Sequence, residues 1–450
     1  MILQSEIIPN LTKKDKKVCI IVPNAQEESL INQAKPLGVA VFPIKIENSW
    51  GINEFSLLKK YIYEDIRNNP ALWEKHMRSI KANKSKHPWR ILRPYLYIML
   101  HYIVYKWKLG KGIFKKIESK LLKNSEIENQ LKNIKPKTLI CTYPSDLRES
   151  AYLRAAKKQN IQTVIQLLSW DNIVTKGYFS EISEYFIAWG DIMAKEAKEF
   201  YNYKNNKVFA PGVAHFDKHI NETSKERINK YFKQLGANPD KKTLIFGMSS
   251  PYFTPFEIEI VEWIARNVNN GNFGNVQFIV RPHPQNVQGY MADTTWLPRL
   301  KKIESDKVFL NLPMLQKSKL DWNMKNEDLI TLVNLIAGSS IVLNSCSTFS
   351  IDGLVQNKPV ILTAFDSDRE LSWMESVTKT LEYPHLKKLI ATNGLDVCKN
   401  YDELESSIKN WISDSNQNVS NRETAKIAEC GICDGNASKR IVETLINIQN

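Results

Sequence analysis

The chain contains 450 residues, more than a single hydrophobic core ordinarily covers, so we expect two or three domains. Hydrophobic residues make up 43% and aromatic residues 10% of it, which excludes a wholly disordered protein. The 62 Lys and Arg residues outnumber the 48 Asp and Glu residues, giving a net charge of +14. This charge favours an anionic partner: nucleic acid, an anionic membrane surface or a phosphorylated substrate.

The N-terminal sequence MILQSEIIPNLTKKDKK lacks the apolar core and cleavage site of a signal peptide. The longest apolar run, YLYIMLHYIVY (95–105), is too short to cross a bilayer as a helix. We therefore expect a cytoplasmic protein, with peripheral contact to the inner face of the cell membrane as an option. The six cysteines are too few for a secreted disulfide framework.

Compact apolar runs alternate with helical segments along most of the chain. In the first part such runs cover 18–23, 39–44, 138–144, 163–168 and 185–189, and helices are expected near 26–35, 147–159 and 192–201. A second series covers 243–250, 276–284, 307–313, 341–348 and 358–364, with helices near 256–269 and 349–356. The alternation predicts two domains of the α/β class, each with a doubly wound parallel sheet.

Residues 50–135 interrupt this alternation with helical, basic sequence. Between Lys75 and Lys123 there are 14 Lys or Arg residues and one acidic residue, Glu118. One interpretation is an inserted helical hairpin with a buried apolar segment and solvated lysines. The other is a basic, aromatic-rich face (75–123) on an anionic membrane, where each cation adds about 1 kcal/mol. The two interpretations are compatible, and both stay open.

The strand 276–281 ends in Arg281-Pro282-His283-Pro284, which places two candidate cations in a stiff loop. Ligands of open α/β sheets bind at the carboxyl ends of the strands. We expect His283 and Arg281 to stabilise negative charge on a leaving phosphate. A structural histidine, and an internal ion pair for Arg281, are the alternatives.

The strand 341–344 is followed by hydroxyl residues at the start of a short helix. Ser345, Ser347 and Thr348 offer hydroxyls and free backbone N–H groups for an anion, with helix capping as the alternative for Ser347 and Thr348. We add three further residues to the predicted donor-binding set: Ser249, Ser250 and Asp352.

The loop Ser169-Trp170-Asp171-Asn172 follows the strand 163–168. Asp171 is a candidate general base for an acceptor hydroxyl, with a helix cap or Asx-turn as the alternative. The other predicted acceptor-binding residues are Asn172, Lys176, Tyr143 and His215.

The chain has neither a GxGxxG nor a GxxxxGK[ST] sequence, so two common phosphate-binding motifs are absent. Cys430-x-x-Cys433 has no second pair at zinc-site spacing, and the DxD pattern 366–368 is short enough to arise by chance. We expect no metal and no cofactor.

Four features together resemble the GT-B glycosyltransferase superfamily: RPHP (281–284), the Ser/Thr cluster (345–348), the KPVIL strand (358–362) and the closing DGNASKRI segment (434–441). The chain is similar to CDP-glycerol glycerophosphotransferases and to bacterial capsule, sialyl and Kdo transferases with an HP motif. SWDNIVTKG (169–177) is similar to surface-polysaccharide biosynthesis proteins, and 50–135 has no counterpart. The resemblance implies two Rossmann-like domains across a cleft, His283 near the donor phosphate or sugar, and Ser347 and Thr348 at the donor phosphate.

We therefore predict an acceptor domain at 1–220 with the insertion 50–135, a connection at 221–242, a nucleotide-donor domain at 243–433 and a closing helix at 434–450. The predicted enzyme is a metal-independent glycosyltransferase or polyol-phosphate transferase. It moves a sugar or glycerol-phosphate unit from a nucleotide-activated donor to a surface or capsular polysaccharide or a glycolipid. A sugar-nucleotide 2-epimerase on the same fold, and a non-catalytic basic protein that binds glycan or nucleic acid, are the alternatives. No nucleic-acid module is recognisable, so nucleic acid is not an expected partner.

Overall fold

The computed structural model describes residues 2–46, 49–82, 87–107, 110–288, 292–315 and 324–449. Within these ranges helices alternate with strands, and the strands pair in parallel. This confirms the predicted α/β class.

The helices are α1 (Ile7–Thr12), α2 (Glu28–Ala34), α3 (Trp50–Tyr63), α4 (Pro70–Ala82), α5 (Pro88–Trp107), α6 (Gly110–Leu121), α7 (Ser125–Ile134), α8 (Leu147–Lys158), α9 (Asn172–Thr175), α10 (Asp191–Tyr201), α11 (Asp217–Asn221), α12 (Lys225–Leu235), α13 (Glu257–Asn269), α14 (Pro284–Val287), α15 (Trp296–Lys302), α16 (Asn326–Gly338), α17 (Phe349–Val355), α18 (Pro384–Ile390), α19 (Tyr401–Ser413), α20 (Val419–Cys430) and α21 (Ala437–Asn447). The strands are β1 (Cys19–Val22), β2 (Ala40–Pro43), β3 (Thr138–Cys141), β4 (Gln162–Gln166), β5 (Tyr185–Ile187), β6 (Val208–Phe209), β7 (Lys242–Gly247), β8 (Val276–Arg281), β9 (Val308–Leu310), β10 (Ile341–Asn344), β11 (Val360–Thr363) and β12 (Asp396–Cys398).

The strands form three sheets. The N-terminal sheet has the order β3-β4-β5-β6, and the pair β1-β2 precedes it in the chain. The C-terminal sheet has the order β12-β11-β10-β7-β8-β9. Each strand expected from the sequence is present, whereas β12 was not predicted because its three residues are few and begin with a carboxylate.

The C-terminal sheet packs apolar side chains on both faces. Along β7, Leu244 and Phe246 belong to one core cluster and Ile245 to the other, since successive side chains of a strand point to opposite faces. Ile260 of α13 covers the first face and Leu335 of α16 the second. Burial on both sides explains why the strands read as continuous apolar runs.

The predicted connection 221–242 contains a helix that belongs to the fold. Helix α12 contacts α16, and its Phe232 is fully buried. Its remaining residues are mostly charged because one face is exposed to solvent, which explains why the sequence suggests a linker.

The chain ends by returning to the N-terminal sheet. Ile441, Val442 and Leu445 of α21 share a core cluster with Val164 of β4. The buried carboxylate of Asp217 accepts hydrogen bonds from the first two backbone N–H groups of α21, each at 2.8 Å. This carboxylate anchors the closing helix to the segment that follows β6.

The insertion 50–135 is helical, as predicted, and consists of α3 to α7. Its apolar side chains are divided: Tyr61, Leu72 and Tyr97 are buried together, and a second set on α5 and α6 is exposed. No helix in the part of the chain that the structure describes is long and apolar enough to cross a membrane.

Candidate functional site

All of the predicted donor residues except Asp352 lie at the carboxyl edge of the C-terminal sheet. In this sheet β8 and β9 lie on one side of β7, and β10, β11 and β12 lie on the other. The strand order therefore reverses between β7 and β10, which is where ligands of open parallel sheets bind. The loops after β7, β8 and β10 carry the predicted residues.

A close approach at Gly247, the last residue of β7, brings two of these loops together. A Cβ atom there would lie 2.3 Å from Cγ of Phe349, the first residue of α17. Helix α17 therefore packs on bare backbone. The hydroxyl of Ser249 then donates to the carbonyl oxygen of Ser345 at 3.0 Å, which links the loop after β7 to the loop after β10.

The three serines closest to the sheet differ in their free hydrogen-bonding capacity. Ser249 is engaged by Ser345, and the Ser345 hydroxyl shares a 2.6 Å hydrogen bond with that of Thr363. Ser250 is buried, and its hydroxyl has no partner within the described ranges. Ser250 is thus the serine of this group whose hydroxyl has no hydrogen-bond partner among the described residues.

His283 lies at the start of α14 and is neutral. The backbone N–H of Gln285 donates to its Nδ1 at 3.1 Å, so the neutral ring carries its proton on Nε2. Burial, and secondly the charge of Arg281, lower the pKa of His283 to about 4. This differs from the expected cation: at neutral pH the ring offers an N–H donor.

Arg281 forms an internal ion pair, which was the alternative to the predicted phosphate-binding role. Its guanidinium pairs with Asp328 of α16 and donates to Oδ1 of Asn311 at 2.7 Å. Both members of the pair are almost completely buried. The charge of Arg281 is therefore balanced inside the domain, although it still acts on the ring of His283.

The loop 345–348 is partly occupied by its own contacts. The backbone N–H of Ser347 donates to Oδ1 of Asn344 at 2.8 Å, and that of Phe349 donates to the Ser347 hydroxyl at 3.2 Å. Two of the backbone groups expected to bind an anion are thus engaged. Thr348 is exposed, and its side chain makes no capping hydrogen bond.

A buried acid that sequence reasoning missed lies behind this loop. Oε2 of Glu257, at the start of α13, accepts from the Ser249 backbone N–H at 2.7 Å, and its Oε1 has no partner among the described residues. Burial raises the pKa of Glu257 to about 8, against the opposing hydrogen bond from the Ser249 backbone N–H. In the sequence it resembles an ordinary first-turn acid, which is usually solvated.

The opposite wall contains the predicted acceptor loop. Asp171 accepts from the hydroxyls of Ser169 at 2.5 Å and Thr175 at 2.7 Å, and lies 3.2 Å from Nζ of Lys176. Burial alone would raise the pKa of Asp171, but Lys176 and the two hydroxyls outweigh it and lower the pKa to about 2. A carboxylate with this pKa is a weak proton acceptor.

The insertion holds this loop from the outside. The Asn69 side chain donates to the carbonyl oxygen of Val174 at 2.8 Å, and the Lys75 ammonium donates to that of Thr175. The stem of Lys60 would lie 3.4 Å from a Cβ at Gly177. The insertion thus helps to hold the loop 171–177, a contact that its composition did not indicate.

The same insertion reaches the C-terminal domain through Glu74 of α4. Glu74 accepts from the Tyr383 hydroxyl, pairs with Arg78 at 2.6 Å and lies 3.6 Å from the Lys379 ammonium. The guanidinium of Arg78 also stacks over Tyr252, 4.2 Å from its centroid. Tyr252 follows Ser250, so the insertion borders the donor loops.

His385 of α18 faces the acceptor loop from the C-terminal side. Its ring packs edge-to-face on Trp170 with centroids 4.6 Å apart. Nδ1 is buried without a partner in the described structure. No sequence signal marked this residue, because it follows no strand and belongs to no motif.

The remaining predicted residues are spread along the two walls. Asp352 accepts from Nε2 of His219 at 2.9 Å, and His215 lines a cavity with room for about one water molecule. That cavity is too small for a nucleotide. Tyr143 is exposed at the end of β3, and Asn172 is buried at the start of α9. Their binding roles stay predictions.

The first aspartate of the DxD pattern is hydrogen-bonded within its own domain. The Asp366 carboxylate accepts from the Val377 backbone N–H at 3.0 Å. Within the described ranges no three His, Cys, Asp or Glu side chains are grouped to hold a metal, and all six cysteines are free.

No protein-family model matches the chain, and no curated protein matches it by sequence. Among solved structures it is similar to UDP-GlcNAc 2-epimerase from Neisseria meningitidis bound to UDP-GlcNAc, with 14% identity, 99% of this chain and 96% of that chain covered, and a TM-score of 0.54. It is also similar to MnaA of S. aureus with UDP, at 12% identity, 96% and 97% coverage and a TM-score of 0.47. The wall teichoic acid polymerase TagF matches at 11% identity over 70% of this chain and 72% of that chain, with a TM-score of 0.43.

Of these three structures only the first exceeds a TM-score of 0.5, and the fold assignment depends on it. The chain has the GT-B fold, with two Rossmann-like domains and a helical insertion in the first. At 14% identity the comparison shows the fold and does not distinguish a transferase from an epimerase.

Proposed function

We propose that the chain is a glycosyltransferase or polyol-phosphate transferase that uses a nucleotide-activated donor. Its acceptor is a surface or capsular polysaccharide or a glycolipid. One observation carries the proposal: unpartnered hydrogen-bonding groups lie beside the point where the strand order reverses, Ser250 in the loop after β7 and His283 in the loop after the adjacent strand β8. A nucleotide diphosphate needs such donors, and this is the place where the fold positions a ligand.

In this proposal the donor phosphate accepts a hydrogen bond from Nε2–H of His283. A neutral donor that is already oriented by the Gln285 backbone stabilises charge on the leaving phosphate without reorganising during the reaction. The hydroxyls of Ser250 and Thr348 are the next donors available. Arg281 acts as a positioning residue, because its guanidinium is bound to Asp328.

The insertion favours transfer over epimerisation as the reaction. Its helix α4 holds the loop 171–177 and contacts the donor domain, so the insertion shapes the wall that faces the donor site. A second substrate needs such a wall, whereas an epimerase acts on one nucleotide sugar alone.

A membrane is the second proposed partner. Helices α5 and α6 expose large apolar side chains at spacings of three or four residues, all between 44% and 61% accessible: Ile91, Leu92, Tyr95, Met99, Tyr102, Ile103, Ile113, Ile117 and Leu121. Exposed cations accompany them: Arg90, Lys115, Lys116, Lys120 and Lys123. We call this surface the α5/α6 face. Apolar side chains among cations fit an anionic lipid surface, where a glycolipid acceptor would reside.

A ligand screen followed by a turnover assay tests the function. We expect one of CMP, CDP, UDP, GDP or TDP to raise the melting temperature well above the others. A donor built on that nucleotide should release it faster when acceptor is added, with product that contains the acceptor. Product without an acceptor moiety would instead identify the epimerase.

The variant His283→Ala should lose about 100-fold or more in donor turnover, because one oriented donor to a leaving oxyanion is worth that factor. His87→Ala is the matched control, since His87 is exposed and lies in the insertion. Unchanged turnover in His283→Ala, with nucleotide binding intact, would contradict the proposed site.

A further inference from the structure

We propose that His385, and not Asp171, is the catalytic base that takes the proton from the acceptor hydroxyl. The inference rests on the proposed transferase function and assigns a role to a residue outside every motif of the sequence.

The position of His385 suits this role. Helix α18 contacts α9 of the acceptor loop, and Trp170 packs against the imidazole at 4.6 Å between centroids. The ring of Tyr383 lies 6.0 Å away on the same segment, and Tyr383 is tied to the insertion through Glu74. The imidazole is therefore held where both domains and the insertion meet.

Nε2 is the ring nitrogen of His385 that a substrate can reach. Neither ring nitrogen makes a hydrogen bond to a described residue, and Nδ1 is buried whereas Nε2 is not among the buried, unpartnered atoms of the described residues. A ring nitrogen without a protein partner can accept a hydrogen bond from a bound hydroxyl.

Asp171 is less suitable because its carboxylate is already bound. It accepts from two hydroxyls within 2.7 Å and pairs with Lys176 at 3.2 Å. Its pKa of about 2 reflects these contacts. We assign Asp171 the role of a positioning residue that holds Lys176 and the loop 169–176 beside His385.

Burial keeps the imidazole neutral, and charged groups of the neighbouring elements modify this effect. Burial lowers the pKa of His385 to about 4; Asp171 opposes this effect, and Lys176 and Lys75 add to it. The group facing it from its own segment is the Tyr383 hydroxyl, whose pKa is raised by burial. The ring is thus uncharged at neutral pH, and the nearby carboxylate of Asp171 favours the protonated ring that forms when His385 takes the acceptor proton.

The step is a direct displacement. The acceptor oxygen forms a bond to the anomeric carbon or to phosphorus, and the bond from that atom to the nucleotide phosphate oxygen breaks. The electron pair of the broken bond leaves with the nucleotide. The hydroxyl proton moves to the free ring nitrogen of His385 and is later released to water.

The test compares His385→Ala with the wild type on the donor and acceptor pair that the wild type converts. We expect acceptor-dependent transfer to fall by about 10²–10⁴-fold, the usual value of a general base, with an unchanged nucleotide-induced melting shift. Added imidazole should restore part of the rate in proportion to its concentration, which a purely structural role would not produce. His87→Ala, with and without imidazole, is the control.

His385→Gln keeps a polar side chain and should lose transfer similarly, which covers the case in which the alanine variant does not fold. Transfer within threefold of wild type in a folded variant, or a loss that imidazole does not restore, would overturn the assignment. An inactive wild type with every donor would instead overturn the proposed function. The two failures are therefore distinguishable.

Discussion

At the scale of single residues, a buried acid without a charged partner is the clearest source of pH dependence. Glu257 is 2% exposed, and its ordinary pKa of 4.5 is raised to about 8 by burial. The unfolded carboxyl therefore ionises at lower pH than the folded one. Between these two values unfolding releases a proton, so the folded state loses stability as the pH rises from about 4.5 to about 8.

We predict that Glu257→Gln stabilises the protein at pH 7 and not at pH 4. The amide oxygen can still accept from the Ser249 N–H, and it avoids the cost of keeping a carboxyl protonated. That cost is on the order of 3 kcal/mol at pH 7. Urea unfolding midpoints of variant and wild type at both pH values measure it.

Glu226→Gln is the matched control, since Glu226 is an exposed first-turn acid on α12. If the urea midpoints of Glu257→Gln and wild type differed by the same amount at pH 4 and pH 7, the assigned ionisation state would be contradicted.

His283 shows what a motif does and does not reveal about a residue. The proline-flanked sequence correctly places it at the carboxyl edge beside the donor loops. The pair of cations inferred there is absent, because Arg281 is bound to Asp328 and the imidazole is neutral. A charge state depends on burial and neighbours, which a short motif does not contain.

At the scale of elements, the packing of α17 on β7 holds the two donor loops together. Gly247 leaves room for the ring of Phe349. This contact fixes the position of the loop 345–348, because the loop leads directly into Phe349. Replacing this glycine adds a methyl group where the ring already lies.

We predict that Gly247→Ala destabilises the protein by about 1–3 kcal/mol, the usual cost of overpacking. It should also weaken nucleotide binding, since α17 must move away from β7. The double variant Gly247→Ala/Phe349→Leu should recover part of the loss by removing the ring. Urea unfolding and the nucleotide-induced melting shift measure both effects, and an unaffected single variant would contradict the close packing.

The α5/α6 face gives a prediction about membranes. Binding to vesicles containing anionic lipid should be strong at low salt and fall as salt rises, because screening weakens the attraction of surface cations. The variant Leu92→Glu/Met99→Glu/Ile113→Glu should reduce flotation by at least tenfold, since three apolar contacts are lost and three negative charges are added.

Val419→Glu/Ile427→Glu is the control, because both side chains are exposed to a similar extent on α20, outside this face. Flotation that is indifferent to lipid charge and to both sets of variants would exclude the membrane as partner.

At the scale of the whole molecule, Glu74 joins the insertion to the C-terminal domain. It lies between Arg78 of its own helix and Lys379 and Tyr383 of the other domain, and Lys379 is 1% exposed. Removing one partner from a buried ionic group leaves the others without compensation.

We predict that Glu74→Ala lowers the free energy of unfolding by about 3 kcal/mol. Glu375→Ala, which removes an exposed ion pair with Lys81 between the same two regions, should change the free energy of unfolding much less, because solvent screens an exposed pair. Urea midpoints compare the two variants. Equal losses of unfolding free energy in the two variants would show that Glu74 does not couple the insertion to the C-terminal domain.

The sequence by itself determined the α/β class, the positions of nearly all strands, the helical insertion and the carboxyl-edge location of the donor residues. These follow from local patterns, since apolar runs, proline and glycine act over a few residues. Domain boundaries and the identity of donor and acceptor stay predictions.

Only the tertiary structure decided which residues share a site and in which charge state. Glu257, His385 and Glu74 come from segments far apart in the chain, and each looks like an ordinary polar residue in its own context. Their properties arise from desolvation and from neighbours supplied by other elements, which do not exist until the domains pack.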